Sequence, residues 1–310
     1  MTVFITGANG FIGSYLAHFF LQKGHSVIAS SRQFHITTRT LLKNAQLIDL
    51  DILNTEQLQN SKVQADTIIH TATANDIISK NGIKGIELSA IGTKNILEFA
   101  IKNKISKCII FSTLQVYGTE LSGEITETSP LDFQNDYGIN HLFAEMYAEQ
   151  YHRQGKIRCA VVRPSNVYGK IISESFNRWS LIPGCFCKEA IERGTITIKS
   201  SGLQMRNFVH LENLAFAISC IVKDNMDNFE VYNAGSTEHK TMLQAAEIVK
   251  NVFEKNLNRK VEIKVEGAEP AKTNTFNLSI DKLKKKEFVE NKDFNLESGI
   301  KEMFNYLQNI

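Results

Sequence analysis

Glycines at 7, 10 and 13 punctuate the segment Thr6-Gly7-Ala8-Asn9-Gly10-Phe11-Ile12-Gly13, which lies between an apolar run and a helical pattern. Such spacing has a specific chemical use. The first glycine permits a tight turn, the second lets the backbone approach a pyrophosphate, and the third lets a helix pack closely on a strand. The N–H groups that open the helix then face the phosphates with a partial positive charge. Gly7, Gly10 and Gly13, with Asn9, Phe11 and Ile12 between them, are therefore candidates to hold NAD or NADP. The second strand runs into Ser31-Arg32 and ends without a carboxylate. A carboxylate there would bind the ribose 2′-hydroxyl and repel a 2′-phosphate, whereas a hydroxyl and a guanidinium suit the phosphate. The expected cofactor is accordingly NADP(H) in preference to NAD. Asp51, after the third strand, stands where a carboxylate can accept from the adenine amino group.

Holding these residues in place requires strands alternating with helices, and the hydrophobic pattern supplies them. Thr2–Thr6, Ser26–Ser30, Gln46–Leu50, Thr67–Thr71, Cys108–Ser112 and Arg158–Arg163 read as strands. Phe11–Lys23, Ile83–Lys102 and Tyr137–Gln154 read as helices. The alternation predicts an α/β fold, a Rossmann doubly wound parallel sheet with helices on both faces. From Asn166 the pattern loosens. Strands at Thr195–Lys199 and Val261–Val265, among helices at Ser180–Arg193, Leu211–Lys223 and Thr241–Asn256, predict a smaller mixed C-terminal substrate lobe. The expected division is 1–165 for the dinucleotide domain and 166–310 mainly for the lobe, with some segments returning to the first.

The 310 residues suffice for such a core, and 43% hydrophobic with 22% charged content is ordinary for a globular chain. A formal net charge of +2 points to no nucleic acid or other polyanion. Lys282-Leu283-Lys284-Lys285-Lys286 reads as a solvated helix face. The five cysteines, at 108, 159, 185, 187 and 220, are odd in number and lack metal-ligand spacing. Free thiols, no metal and a cytoplasmic setting are expected. No leader pattern precedes the first strand, and no apolar run approaches the ~18 residues of a membrane span, so no membrane partner is expected.

Further motifs carry a likeness. IIHTA from Ile68, STLQVYG from Ser112, DYGINHLFAE from Asp136, VVRPSNVYG from Val161, GLQMRNFVHLENLA from Gly202 and VYNAGSTEHKT from Val231 join the glycine turn. In order and spacing they resemble the extended short-chain dehydrogenases/reductases, above all nucleotide-sugar epimerases, dehydratases and ketoreductases. The likeness covers nearly the whole chain. It implies that a Tyr exchanges the proton of the reacting carbinol while hydride moves to or from nicotinamide, which maps onto Tyr137. Thr113 takes the hydroxyl role at the same oxygen, with Ser112 beside it, and Tyr117 becomes a wall residue. The cofactor contacts implied beyond the glycine turn are Ile52, Thr71, Ala72, Ser112, Tyr137, His141 and Pro164. Asn166 and Arg206 take the substrate diphosphate, for which a guanidinium fork is well suited. Asn233 and His70 are expected to serve the fold. The resemblance also implies a homodimer, formed through Ile83–Lys102 and Tyr137–Gln154, and a nucleotide-diphosphate sugar as substrate.

Four sites depart from the family. His141 follows Tyr137 by four residues, where the family has a Lys that holds the nicotinamide ribose and lowers the Tyr pKa. Residues i and i+4 share a helix face, but an imidazole of pKa ~6.5 is only partly charged at pH 7. Three readings stay open: His141 does the lysine's work with weaker activation, it binds ribose while water or another cation supplies the charge, or the site is catalytically weak and the protein an NADP(H)-binding regulator. Leu114-Gln115 replaces the Asp-Glu pair of 4,6-dehydratases, which argues against dehydration. Ser89 stands in place of Asn before Gly92-Thr93, and Asn207 in place of Asp after Arg206. The leading expectation is a 4-keto-sugar reductase using NADPH. Its alternative is a C4 epimerase, which oxidises and re-reduces one carbon with no net cofactor turnover.

Overall fold

The computed structural model describes residues 1–172, 178–268 and 274–308. Its first half comprises β1 (Thr2–Thr6), α1 (Phe11–Gln22), β2 (Ser26–Ser31), α2 (Ile36–Leu41), β3 (Gln46–Asp49), α3 (Thr55–Asn60), β4 (Thr67–His70), α4 (Gly82–Ile86), α5 (Gly92–Lys102) and β5 (Lys107–Phe111). There follow β6 (Gly123–Ile125), α6 (Asp136–Arg153), β7 (Arg158–Pro164), β8 (Asn166–Tyr168), α7 (Gly184–Arg193), β9 (Thr195–Ile198), β10 (Met205–His210) and α8 (Leu211–Lys223). The chain closes with β11 (Glu230–Ala234), β12 (His239–Thr241), α9 (Met242–Leu257), β13 (Glu262–Val265), β14 (Phe276–Leu278), α10 (Asp281–Lys284) and α11 (Leu296–Leu307).

One sheet of seven parallel strands, ordered β11-β7-β5-β4-β1-β2-β3, organises the molecule. Strand β1 shows why it is buried on both faces. Val3 and Ile5 join an apolar cluster with Phe19 and Phe20 of α1 and Leu214 and Ile218 of α8. Phe4 points the other way, among Ile96 and Leu97 of α5 and Ala144 and Ala148 of α6. A strand covered on both sides reads as a continuous apolar run, which is why it was legible. The strand order reverses between β1 and β4, where sheets of this kind form a ligand crevice at their carboxyl ends.

Several expectations need correction. The helix at Leu211–Lys223 belongs to the cofactor layer rather than the lobe, because α8 packs on α1. Strand β11 was not assigned; it pairs with β7 at the sheet edge, so the chain returns to the first layer. The expected helix Ile83–Lys102 is interrupted by a π-helical turn over Glu87–Ile91. Ser89 sits in that turn and its hydroxyl accepts from the Ala74 N–H at 2.9 Å, fixing the loop after β4. The lysine run is only partly a solvated face: Leu283 is buried, Lys282 pairs with Glu230, and Lys286 pairs with Asp224.

A further apolar cluster forms the lobe. Phe186 and Ala190 of α7, Val249 and Phe253 of α9, and Ile300 and Phe304 of α11 pack with Ile196 and Ile198 of β9, which pairs with β13. Strand β10, parallel to β8 and antiparallel to β12, joins the lobe to the sheet. Among the described residues no helix is long and apolar enough to cross a membrane, and no group of His, Cys, Asp and Glu is arranged to hold a metal. All five cysteines are free.

Candidate active site

At the end of β1 the chain turns at Gly7, whose φ of +70° lies in the left-handed region that favours glycine. A Cβ on Gly13 would stand 2.3 Å from the Gly7 carbonyl oxygen, so α1 approaches this turn as closely as backbone allows. Helix α1 begins without a side-chain cap and without an acidic residue in its first turn. The positive end of its dipole therefore faces the turn without a competing side-chain anion. The Thr71 hydroxyl donates to the Thr6 carbonyl at 2.6 Å, tying β4 to β1 across the switch point. His70 bridges the Thr6 and Thr93 hydroxyls at 2.7 and 3.1 Å. Burial pushes its pKa down to about 3, so it is a neutral packing histidine.

A cavity of about 700 Å³ follows this edge of the sheet, towards the upper range of small-molecule sites. Gly7, Asn9, Gly10, Phe11, Ile12, Gly13, Ser31, Arg32, Asp51, Ile52, Thr71, Ala72, Ser112, Tyr137, His141 and Pro164 all line it. So do Thr113, Asn166 and Arg206, which places both sets of sequence candidates on one continuous wall. Several have prior commitments. Asp51 accepts from the Leu53 N–H at 3.0 Å, and Ser112 donates its hydroxyl to Glu145.

The two candidates for the reacting oxygen, Thr113 and Tyr137, line this cavity together. Thr113 follows β5 in extended conformation, while Tyr137 lies in the first turn of α6, whose Asn135 cap accepts from the Gly138 N–H at 2.9 Å. The Thr113 hydroxyl lies close enough to the Tyr137 phenol to favour its ionised form. Burial raises the Tyr137 pKa above the ordinary phenol value; Thr113 opposes this, Asp76 reinforces it and Arg178 opposes it. Asp76 and Arg178 form an ion pair at the same cavity.

One turn along α6, the His141 ring stands edge-on to Tyr137 at 4.6 Å between centroids. Its Nδ1 lies 3.3 Å from the Phe111 carbonyl, and its Nε2 is buried without a partner. Burial pushes the His141 pKa down to about 4, against the Phe111 and Ala74 carbonyls, which favour the protonated ring. The imidazole is thus neutral at pH 7. This corrects the reading in which His141 supplies the lysine's charge: desolvation of an enclosed ring outweighs two carbonyl dipoles.

Behind the wall lies a buried ionic network that was not among the sequence candidates. Arg163, at the end of β7, donates from Nε and Nη2 to the two Glu145 oxygens at 2.9 and 2.6 Å. Its Nη1 donates to the Tyr117 hydroxyl at 2.7 Å, which donates to Asn233 at 2.8 Å. Arg163 and Glu145 are only 4% and 5% exposed. A signal existed in the sequence: Tyr137, His141 and Glu145 recur every fourth residue on one face of α6, and Arg163 ends an apolar strand. Tyr117 is corrected from the cavity wall to this network, and burial pushes its pKa up to about 12. Asn233 holds β11 to Tyr117 and to the Ser279 carbonyl. At the place of the dehydratase Asp-Glu pair, Leu114 is buried and Gln115 accepts from Asn135 at 3.3 Å.

Towards the lobe, Asn166 donates to the Asn207 carbonyl at 2.7 Å, and Arg206 is half-buried with Nη1 on the Met205 carbonyl at 3.0 Å. Burial lowers the Arg206 pKa, a desolvation that a diphosphate would relieve. Asn207 accepts from the Ser236 N–H and donates to the Ser236 carbonyl, at 3.1 and 2.8 Å. An aspartate could not make the second bond.

Residues 3–235 match the model of the NAD dependent epimerase/dehydratase family. UDP-glucuronic acid decarboxylase 1 of Arabidopsis thaliana is 26% identical over 82% of this chain and 59% of its own length, so the chain spans about three fifths of that relative. A putative UDP-glucose 4-epimerase of Methanocaldococcus jannaschii is 24% identical over 99% of this chain and 98% of its own. Among solved structures, the UDP-glucuronic acid 4-epimerase of Bacillus cereus in complex with UDP-glucuronic acid and NAD superposes with a TM-score of 0.82. It is 22% identical and covers 100% of this chain and 99% of its own, a likeness of fold.

Proposed function

The chain belongs to the NAD dependent epimerase/dehydratase family, and we propose that it is a nucleotide-sugar epimerase working at C4 with a retained nicotinamide dinucleotide. The observation that carries this reading is that Thr113 and Tyr137 stand together on the same cavity as the glycine turn. When bound, the nicotinamide supplies the hydride acceptor and donor. Tyr137 takes and returns the proton of the carbinol oxygen, and Thr113 orients that oxygen through its hydroxyl. The start of α1 suits the cofactor pyrophosphate, while Arg206 and Asn166, which line the same cavity, would grip the substrate diphosphate.

The expected reductase drew its support from an NADP(H) preference. The family description and the NAD-bound Bacillus cereus relative favour NAD, and an epimerase consumes no reduced cofactor. Ser31 and Arg32 at the end of β2 are the observation that favours NADP instead. Incubation with UDP-glucose or UDP-glucuronic acid and NAD, followed by proton NMR of the sugar, tests the proposal. Inversion at C4 without accumulation of NADH is expected. Stoichiometric NADPH consumption on a 4-keto sugar nucleotide, with no epimerisation, would restore the reductase. The third expectation, an NADP(H)-binding regulator, predicts dinucleotide binding with no turnover of any sugar nucleotide.

We also propose a homodimer. Ile83, Ile86 and Ile91 on α4 and the following turn, with Phe143 and Met146 on α6, leave an exposed apolar surface, Ile83 at 73% and Met146 at 56%. Helix α4 and the turn after it pack against α6, so a second copy would meet them together.

A further inference from the structure

The neutral state of His141 has a consequence for what it can offer a ligand. A lysine ammonium carries three donors and no acceptor. The His141 ring stands with Nδ1 on the Phe111 carbonyl, an atom that only accepts, so the proton of the neutral ring sits on Nδ1. Nε2 is then a bare lone pair. It is buried, it lacks a partner, and the residue lines the cofactor cavity. A buried acceptor left unmatched is unfavourable, and the polar groups of native proteins are seldom left so.

We propose that His141 serves as a hydrogen-bond acceptor, its Nε2 receiving a nicotinamide-ribose hydroxyl of the dinucleotide, and that Tyr137 works without a fixed cation on its own helix. This rests on the reading that the cavity holds a nicotinamide dinucleotide. The polarity of the contact is the reverse of that made by a lysine at this place. The Ala74 carbonyl, the second dipole acting on the ring, favours a proton, but burial outweighs it. His70, the neighbouring histidine on β4, is itself neutral and brings no cation to the site. Asp76 and Arg178 act on Tyr137 in opposite senses and are paired with each other. Burial holds the His141 pKa near 4, so the acceptor persists through the neutral range.

The experiment uses the full chain labelled with ¹⁵N-histidine. Imidazole NMR, with His141 assigned by its loss in His141→Phe, reads tautomer and protonation directly. A neutral ring protonated on Nδ1 is expected from pH 5.5 to 8, with the Nε2 resonance moving when NAD is added. A doubly protonated ring at pH 7, or a proton on Nε2 in the NAD complex, would overturn the inference. Calorimetric titration supplies the second readout: His141→Phe should weaken NAD roughly tenfold, the scale of one hydrogen bond. NAD analogues lacking the nicotinamide-ribose hydroxyls should bind wild type and His141→Phe alike; a full loss on His141→Phe would contradict an acceptor role. In His141→Lys the phenol of Tyr137, isolated by difference from Tyr137→Phe in tyrosinate absorbance, should titrate lower by about 1–2 pH units. An unmoved titration in a folded His141→Lys would mean that Tyr137 already feels a cation, against the proposal. Failure of wild type to bind either NAD or NADP would instead remove the reading of the cavity itself.

Discussion

Glu145→Gln probes whether the reactive centre depends on the ionic network behind it. The Arg163 guanidinium reaches both Glu145 oxygens, at 2.9 and 2.6 Å, and both residues are almost wholly enclosed. Replacing one oxygen by an amide removes the countercharge and sets N–H against N–H. Losing one member of a buried ion pair costs about 3–5 kcal/mol, because the other charge stays desolvated. The Tyr117 hydroxyl remains on Arg163 Nη1 and places the expected loss near the lower figure, about 3 kcal/mol. Urea unfolding of wild type, Glu145→Gln, Arg163→Met and the double variant Glu145→Leu/Arg163→Met would measure it. The double variant should recover much of the loss, since apolar packing often replaces a buried pair at little cost. The Ser112 hydroxyl also loses its carboxylate partner, so Thr113 beside it should be placed less firmly and kcat should fall in the folded variant. A loss below about 1 kcal/mol for Glu145→Gln would refute the reasoning, because that is the range of a solvated surface pair.

Acid should destabilise the fold through two of its enclosed histidines, His70 and His141. The pKa values of His70 and His141 are held near 3 and 4, below the ~6.5 of an unfolded chain, so the unfolded state takes up protons first. Stability is therefore present above pH 6.5 and is lost as pH falls towards 4, by about 2 kcal/mol per histidine at pH 5. Unfolding measured at pH 7 and pH 5 should show a shallower pH slope in His141→Gln than in wild type; equal slopes would contradict the burial of a neutral ring. Met146→Lys should convert the dimer to monomers in sedimentation, because it sets a charge in the apolar surface of α6. A wild type that is monomeric at working concentration, or a dimer indifferent to the change, would argue against that interface.

Much of the first layer was legible because its signals are local. A strand buried on both faces is an apolar run, and a pyrophosphate turn needs glycines at fixed spacing, so β1, Gly7 and Gly13 could be read from the chain alone. Tyr137, Thr113 and Arg206 were reachable because their motifs are short and ordered, and the structure sets them on one cavity. Segments that cross between layers were not legible in this way. Strand β11 is brief and lies at a sheet edge, and α8 follows a strand of the second unit yet covers α1. The same limit applied to chemistry. From sequence, His141 was an imidazole of ordinary basicity with three open roles. Its neutrality, the fixing of its Nδ1 by Phe111 and the unpartnered Nε2 depend on how completely β5, α6 and the loop after β4 exclude water. Residue type decides which proton a side chain can carry; only the packed environment, by setting the cost of charge, decides whether it carries one.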